Sequence, residues 1–185
     1  MSKKRQKLNN SGMSMVELIV VLAIMVLLVG GVIGLTAYLN SGDLKKSSKD
    51  VHNLLSDVKS KTMSIYGSWD GRIKYEDEQF KLLTEKNNDV LEVRELGYRV
   101  SLGYYDGGTL NGDTVEDATA YYDLTTAGDL SFVFNQATGA IEEFKIGDSD
   151  NLAEASTYGY FKVYTTSSSY YLKVFYKTGK VIDEY

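Results

Sequence analysis

A continuous apolar segment near the start of the chain constrains the fold more than any other feature. From Leu18 to Leu35 all 18 residues are apolar or glycine. A helix of this length measures roughly 27 Å, close to the thickness of about 30 Å of a bilayer's hydrocarbon core. The leader before it, residues 1–12, has no acidic residue and four basic ones: Lys3, Lys4, Arg5 and Lys7. This order predicts a membrane helix whose basic end stays in the cytoplasm, with the rest of the chain outside.

The position of a small residue distinguishes this segment from an ordinary secretory signal. A secretory signal peptide has its small-residue cleavage site after the apolar run. No such site follows Leu35 here, whereas Gly12 stands before the run, at its polar boundary. Cleavage at Gly12 would remove only the basic leader and leave the apolar segment at the new N-terminus. One acidic residue, Glu17, lies at the entrance of the run.

Gly12, the hydrophobic Met13 and Glu17, fifth after the glycine, resemble the N-terminus of type IV prepilins and type II secretion pseudopilins. The family usually has phenylalanine where Met13 stands. The resemblance implies that a prepilin peptidase cleaves between Gly12 and Met13 and then methylates the new Met13 amine. It also implies the remaining partners, namely other pilin or pseudopilin subunits, an assembly platform protein and membrane lipid.

Glu17 can also be interpreted without the family. A carboxylate at the edge of a membrane helix is costly and normally has a partner. Cleavage after Gly12 creates an ammonium group four residues away, and in a bundle of staggered identical helices the amine of one subunit could neutralise Glu17 of its neighbour. An unpaired glutamate would oppose assembly, so this pair is predicted to set the register of subunits. The alternative is a glutamate that merely reaches the interface beside a single anchor.

The rest of the chain predicts an α+β fold, in which a long N-terminal helix packs on a C-terminal antiparallel β-sheet domain. The helix is expected to be membrane-spanning in its first half and amphipathic in its second, ending near Gly67. The predicted domains are a leader at 1–12, a transmembrane or filament-core helix at 13–39, an amphipathic half at 40–66 and a β-rich head at 67–185. From Trp69 onward the period of two predicts strands near 72–75, 79–83, 90–93, 97–105, 119–125, 130–135, 140–146, 158–166, 169–176 and 180–184. Two Thr-Gly hairpins near the C-terminus resemble those of the GspH/FimT-type minor pseudopilins.

The composition gives little support to catalysis or to cofactors. The net charge of −5 and the acidic end of the chain argue against nucleic acid as a partner. Cysteine is absent, and the lone His52 has no second histidine or cysteine with which to form a catalytic site. Asp148 and Asp150 are weak calcium candidates, as is the acidic, glycine-rich segment 106–113, which is predicted to form a loop, because neither has EF-hand spacing. The sequence therefore predicts no enzyme activity and no cofactor.

These features predict a structural subunit, a pilin or pseudopilin, of a type IV pilus or of a type II secretion or competence pseudopilus. Both a major and a minor subunit are compatible with them. The expected location is the cytoplasmic membrane, with the globular domain outside, and then a filament at the cell surface. The alternative is a membrane-anchored extracellular binding or adhesion module that does not polymerise. Such a module would keep its leader uncleaved, and replacement of Glu17 by alanine would not change its function.

Overall fold

The computed structural model describes residues 14–64, 67 and 69–184. A boundary between Tyr38 and Leu39 divides the chain into two compact units. Helix α1 extends over Met15–Ser64, and the second unit contains its C-terminal part together with all ten strands and a short second helix. Gly67, which lies just beyond α1, has a φ of 130°, a value that favours glycine.

One face of α1 within the second unit is apolar and fully covered. Five apolar residues at helical spacing form this face and are each at most 2% exposed: Leu44, Val51, Leu54, Leu55 and Val58. Polar groups on other faces reach the strand region. Lys59 Nζ donates to the carbonyl oxygen of Thr178 at 2.7 Å, and His52 Nδ1 lies 2.9 Å from Asp183 Oδ1. This stretch of α1 is thus held by a buried stripe and by polar contacts beside it.

Within the described residues, ten strands lie close to the segments predicted from the sequence. They are β1 Trp69–Glu76, β2 Gln79–Lys86, β3 Asp89–Glu95, β4 Ser101–Asn111, β5 Thr114–Asp123, β6 Leu130–Phe134, β7 Ile141–Ile146, β8 Tyr158–Tyr164, β9 Ser169–Phe175 and β10 Lys180–Glu184, with helix α2 at Leu152–Ala155. Two-residue turns with positive φ at both positions, Asp77-Glu78 and Asn87-Asn88, join the first three strands. Such turns match the right-handed twist of hairpin strands.

The strands form two antiparallel sheets of five strands each. Sheet A has the order β3-β2-β1-β6-β7, and sheet B has the order β10-β9-β8-β4-β5. Strands β1–β3 and β8–β10 are meanders, in which each strand pairs with the next. The pairs β1–β6 and β4–β8 add the strands that come from other parts of the chain.

The predicted fold class, an α+β chain with a half membrane-spanning helix packed on one antiparallel sheet, is therefore wrong. The chain is mostly β, and its strands form two sheets where one was expected. Among the residues that the structure describes, no helix is both long enough and apolar enough to cross a membrane. The period of two shows which side of a strand is apolar, but it does not show which strands pair.

The reason for two sheets lies in the aromatic side chains. Phe144 of β7 in sheet A is fully buried, and its ring centroid lies 4.8 Å from that of Tyr104 in sheet B. It also lies 6.1 Å from the ring of Phe161 in sheet B and 5.4 Å from that of Tyr176. Ten strands present more apolar surface than one stripe of a helix can cover, so the two sheets cover each other.

Two glycines make room for large rings in this core. A Cβ at Gly71 would collide with the ring of Phe132, and a Cβ at Gly159 would collide with the phenol of Tyr104. Both glycines lie inside strands, where the residue is otherwise unfavourable. Their role is to let a neighbouring aromatic ring approach the backbone closely.

Candidate functional site

Of the residues predicted from the N-terminal motif, Glu17 lies in the described part of the chain. Gly12 and Met13, the predicted cleavage and methylation positions, lie outside the described residues. Glu17 occupies the first turn of α1, three residues after Ser14.

Ser14 and Glu17 form a reciprocal pair of hydrogen bonds at the start of α1. The backbone N–H of Ser14 donates to Glu17 Oε2 at 2.9 Å, and the backbone N–H of Glu17 donates to Ser14 Oγ at 3.2 Å. This arrangement is a capping box, which satisfies two of the four free N–H groups of a helix start. Sequence reasoning missed this role of Glu17, although the Ser-x-x-Glu spacing that signals it is present. Glu17 thus stabilises the helix of its own chain, whatever else it does.

The apolar side chains after Glu17 are exposed on every side of the helix. Their exposed fractions range from 37% at Val21 to 75% at Leu27, and all residues from 14 to 30 are exposed. An amphipathic surface helix would hide one face, whereas a helix that is apolar all round is normally buried in other protein or in lipid. A contiguous apolar surface of this kind marks an interaction site.

A cluster of buried polar groups lies inside the β core. Tyr176 Oη donates to Asp106 Oδ1 at 3.2 Å, Tyr104 Oη forms a short hydrogen bond with Tyr176 Oη, and Ser156 Oγ donates to Asp106 Oδ2 at 2.7 Å. Burial raises the pKa of the Tyr104 phenol well above its usual value, and burial also raises the pKa of Tyr176. The carboxylate and both phenols have partners within the fold, so the arrangement is structural.

The weak calcium candidates do not assemble into a cation site. Nowhere in residues 14–64, 67 and 69–184 do three or more histidine or acidic side chains come together in a way that could hold a metal ion. Asp148 and Asp150 are exposed in the turn before α2, and the neighbouring Asn151 side chain accepts from the backbone N–H groups of Ala153 and Phe144. Asp106, predicted in a loop, lies in β4 beside a register shift against β5.

A groove in the second unit brings together residues that the sequence did not connect. Its main cavity measures about 620 Å³ and is bounded by the turn after β8, the turn between β4 and β5, and the end of β10. Ser167, Ser168 and Ser169 line this cavity together with Tyr164, Tyr171 and Lys162. The clustering of tyrosine and serine in residues 164–171 was the available signal.

Comparisons of the chain with protein-family models, with curated proteins and with solved structures gave no match. The candidate sites therefore stand on geometry alone.

Proposed function

We propose that this protein is a structural subunit of a helical filament of the pilin or pseudopilin kind, assembled through the first turns of α1. The observation that carries the proposal is the all-round exposure of apolar side chains from Met15 to Val29. An isolated chain would leave this surface in water. The equivalent helices of other copies could cover it, because each helix offers the same apolar surface.

Glu17 is proposed to fix the register of these helices. It is the sole charged residue between Ser14 and Asn40, and it lies among exposed apolar side chains. Oε2 accepts the Ser14 N–H, so Oε1 remains for a group from a neighbour. Processing between Gly12 and Met13 would supply such a group, an ammonium at the end of the neighbouring chain. Processing, methylation and the passage from membrane to cell-surface filament stay predictions that follow from the resemblance.

Two substitutions separate the assembly role of Glu17 from its capping role. Glu17→Gln removes the charge but keeps a side chain that can complete a capping box. Ser14→Ala removes the cap, at a cost of about 1 kcal/mol in helix stability, but keeps the charge. In the native host, we expect Glu17→Gln to abolish filaments or incorporation into them and Ser14→Ala to retain them. Immunogold electron microscopy and the amount of subunit in sheared surface fractions would measure both.

Processing provides an independent readout of the same strains. The mature N-terminus, determined by mass spectrometry, should begin at Met13 in the wild type and in both variants. A chain that still begins at Met1 in a host with active prepilin peptidase, together with a Glu17→Gln variant that behaves like the wild type, would refute the filament proposal.

The second candidate function is an anchored binding module, and the groove in the second unit favours it. That function predicts ligand binding by the single chain and no effect of Glu17→Gln on surface display. The filament assay therefore distinguishes the two, since only the subunit function makes assembly depend on the charge.

A further inference from the structure

A second cavity of about 280 Å³ lies beside α1 and borders the groove described above. Tyr170 and Tyr171 line both cavities, so they form a shared wall. Ser41 of α1 lines the first cavity, and Lys45 and Lys49 line the second. The two neighbouring cavities are together called the trough, and the larger one is in the size range of small-ligand sites, about 300–1,000 Å³.

The charges that line the trough balance. Three lysines contribute positive charge, and three carboxylates contribute negative charge: Lys45, Lys49 and Lys162 against Asp113, Asp183 and Glu184. A site for a phosphate or another strong anion would carry an excess of positive charge, and a site for a cation would carry the opposite excess. Equal numbers of both signs suit a ligand without net charge that forms many hydrogen bonds.

The aromatic part of the trough is held in place before any ligand arrives. Lys162 Nζ lies 5.3 Å from the Tyr164 ring centroid and 5.9 Å from that of Tyr171. Tyr171 Oη donates to the carbonyl oxygen of Asp113, which joins the β4–β5 turn to β9. Fixed rings present a flat apolar surface at little entropic cost on binding.

The remaining lining is rich in hydroxyl groups. Thr165 and the three serines of residues 167–169 border the larger cavity, and each hydroxyl can donate one hydrogen bond and accept others. Thr165 N–H donates to the Ser168 carbonyl oxygen at 2.9 Å, so the turn that carries these hydroxyls is closed by its own backbone. A sugar has apolar faces and equatorial hydroxyls. The flat rings of the trough complement the apolar faces, and its hydroxyls, carboxylates and amines complement the sugar hydroxyls.

From this geometry we infer that the trough binds a neutral oligosaccharide, with Tyr164 as the ring on which a sugar stacks. Asp113 and Glu184 accept from sugar hydroxyls, and Lys162 and the serine hydroxyls donate to them. This binding function is independent of filament assembly, because every residue invoked belongs to the second unit.

The test uses the full chain in a zwitterionic detergent without a sugar headgroup, so that the detergent cannot compete. Saturation-transfer NMR and titration calorimetry would be run with chitotetraose, cellotetraose and maltotetraose. Tetragalacturonate would serve as the acidic probe and an uncharged Gly-Ser decapeptide as the peptide probe. We expect at least one neutral tetrasaccharide to bind, with a Kd that changes less than about twofold between roughly 50 and 500 mM salt.

Matched tyrosine variants assign the binding to the trough. Tyr164→Ala should weaken binding of that saccharide at least about tenfold, whereas Tyr164→Phe, which keeps the ring, should stay within about threefold of wild type. Tyr98→Ala is the control, because Tyr98 is 79% exposed and is absent from the trough lining. The inference is overturned if no neutral tetrasaccharide binds, if the acidic or peptide probe binds more tightly, or if Tyr164→Ala behaves like Tyr98→Ala.

Discussion

Replacement of Phe144 by alanine tests whether the two sheets share one core. The side chain is fully buried, and it contacts rings of both sheets, with centroid distances of 4.8 Å to Tyr104 and 6.3 Å to Phe132. Burial of a phenylalanine stabilises a protein by about 1.5–3 kcal/mol, and the cavity left behind adds to the loss, so Phe→Ala in a core costs roughly 3–5 kcal/mol. The lost contacts with aromatic rings of the opposite sheet place Phe144→Ala at the upper part of this range.

Urea unfolding of the full chain, monitored by far-ultraviolet circular dichroism, would measure this cost. With a slope of about 2 kcal/mol per molar urea, a loss of about 4 kcal/mol lowers the midpoint by roughly 2 M. Tyr98→Ala is the control. Tyr98 is 79% exposed, so its replacement should change the free energy of unfolding by at most about 0.5 kcal/mol. If Phe144→Ala were to cost less than about 1 kcal/mol, the argument that one aromatic core joins the sheets would fail.

Two further predictions concern backbone space and alkaline pH. Gly71→Ala should destabilise the chain by about 1–3 kcal/mol in the same urea assay, because the new Cβ collides with the ring of Phe132. The control is Gly42→Ala in α1, which has no atom within 4 Å of the new Cβ and should stabilise the chain by about 0.5–1 kcal/mol. Equal effects of the two substitutions would refute the argument that Gly71 allows the close approach of the Phe132 ring. Because burial raises the pKa values of Tyr104 and Tyr176, the folded state keeps protons that the unfolded state loses above a pH of about 10. The free energy of unfolding should therefore be constant below that pH and fall above it by about 1.4 kcal/mol per pH unit for each phenol. Tyr104→Phe should make this fall less steep. Absorbance at 295 nm would follow phenol ionisation and urea midpoints from pH 9 to 12 would follow stability, and a slope that Tyr104→Phe leaves unchanged would contradict the prediction.

The strands could be predicted because their signals are local. Asn87-Asn88 between two alternating segments indicates a tight turn, and the prediction of strands near 79–83 and 90–93 agrees with β2 and β3. The largest error along the chain occurred at 106–112, where acid and glycine suggested a loop. Asp106 instead continues β4, because its buried carboxylate accepts from Tyr176 and Ser156.

The sheet arrangement could not be predicted, because it depends on contacts between distant residues. Phe144 and Tyr104 are 40 positions apart, and no local pattern indicates that their rings meet. The groove escaped prediction for the same reason, since Lys162, Asp113 and Ser41 come from three separate parts of the chain. By contrast, the capping role of Glu17 is local, because four consecutive residues, Ser14 to Glu17, carry its Ser-x-x-Glu signal.

The single charge of Glu17 also limits how many ammonium groups each subunit can neutralise in the proposed filament. Oε2 of Glu17 accepts the Ser14 N–H of its own chain, and the carboxylate keeps lone pairs for an incoming ammonium group. Each chain has one N-terminal amine to offer in return. With one negative and one positive charge per subunit, neutralisation pairs the two groups one to one, and the contacts form an unbranched chain at any filament length. If the amine of a subunit were blocked, by acetylation for example, its Glu17 could still pair with the amine of one neighbour, but it could not neutralise Glu17 of the other. The chain of contacts would be interrupted at that subunit, so a small fraction of blocked subunits would shorten filaments out of proportion to its abundance.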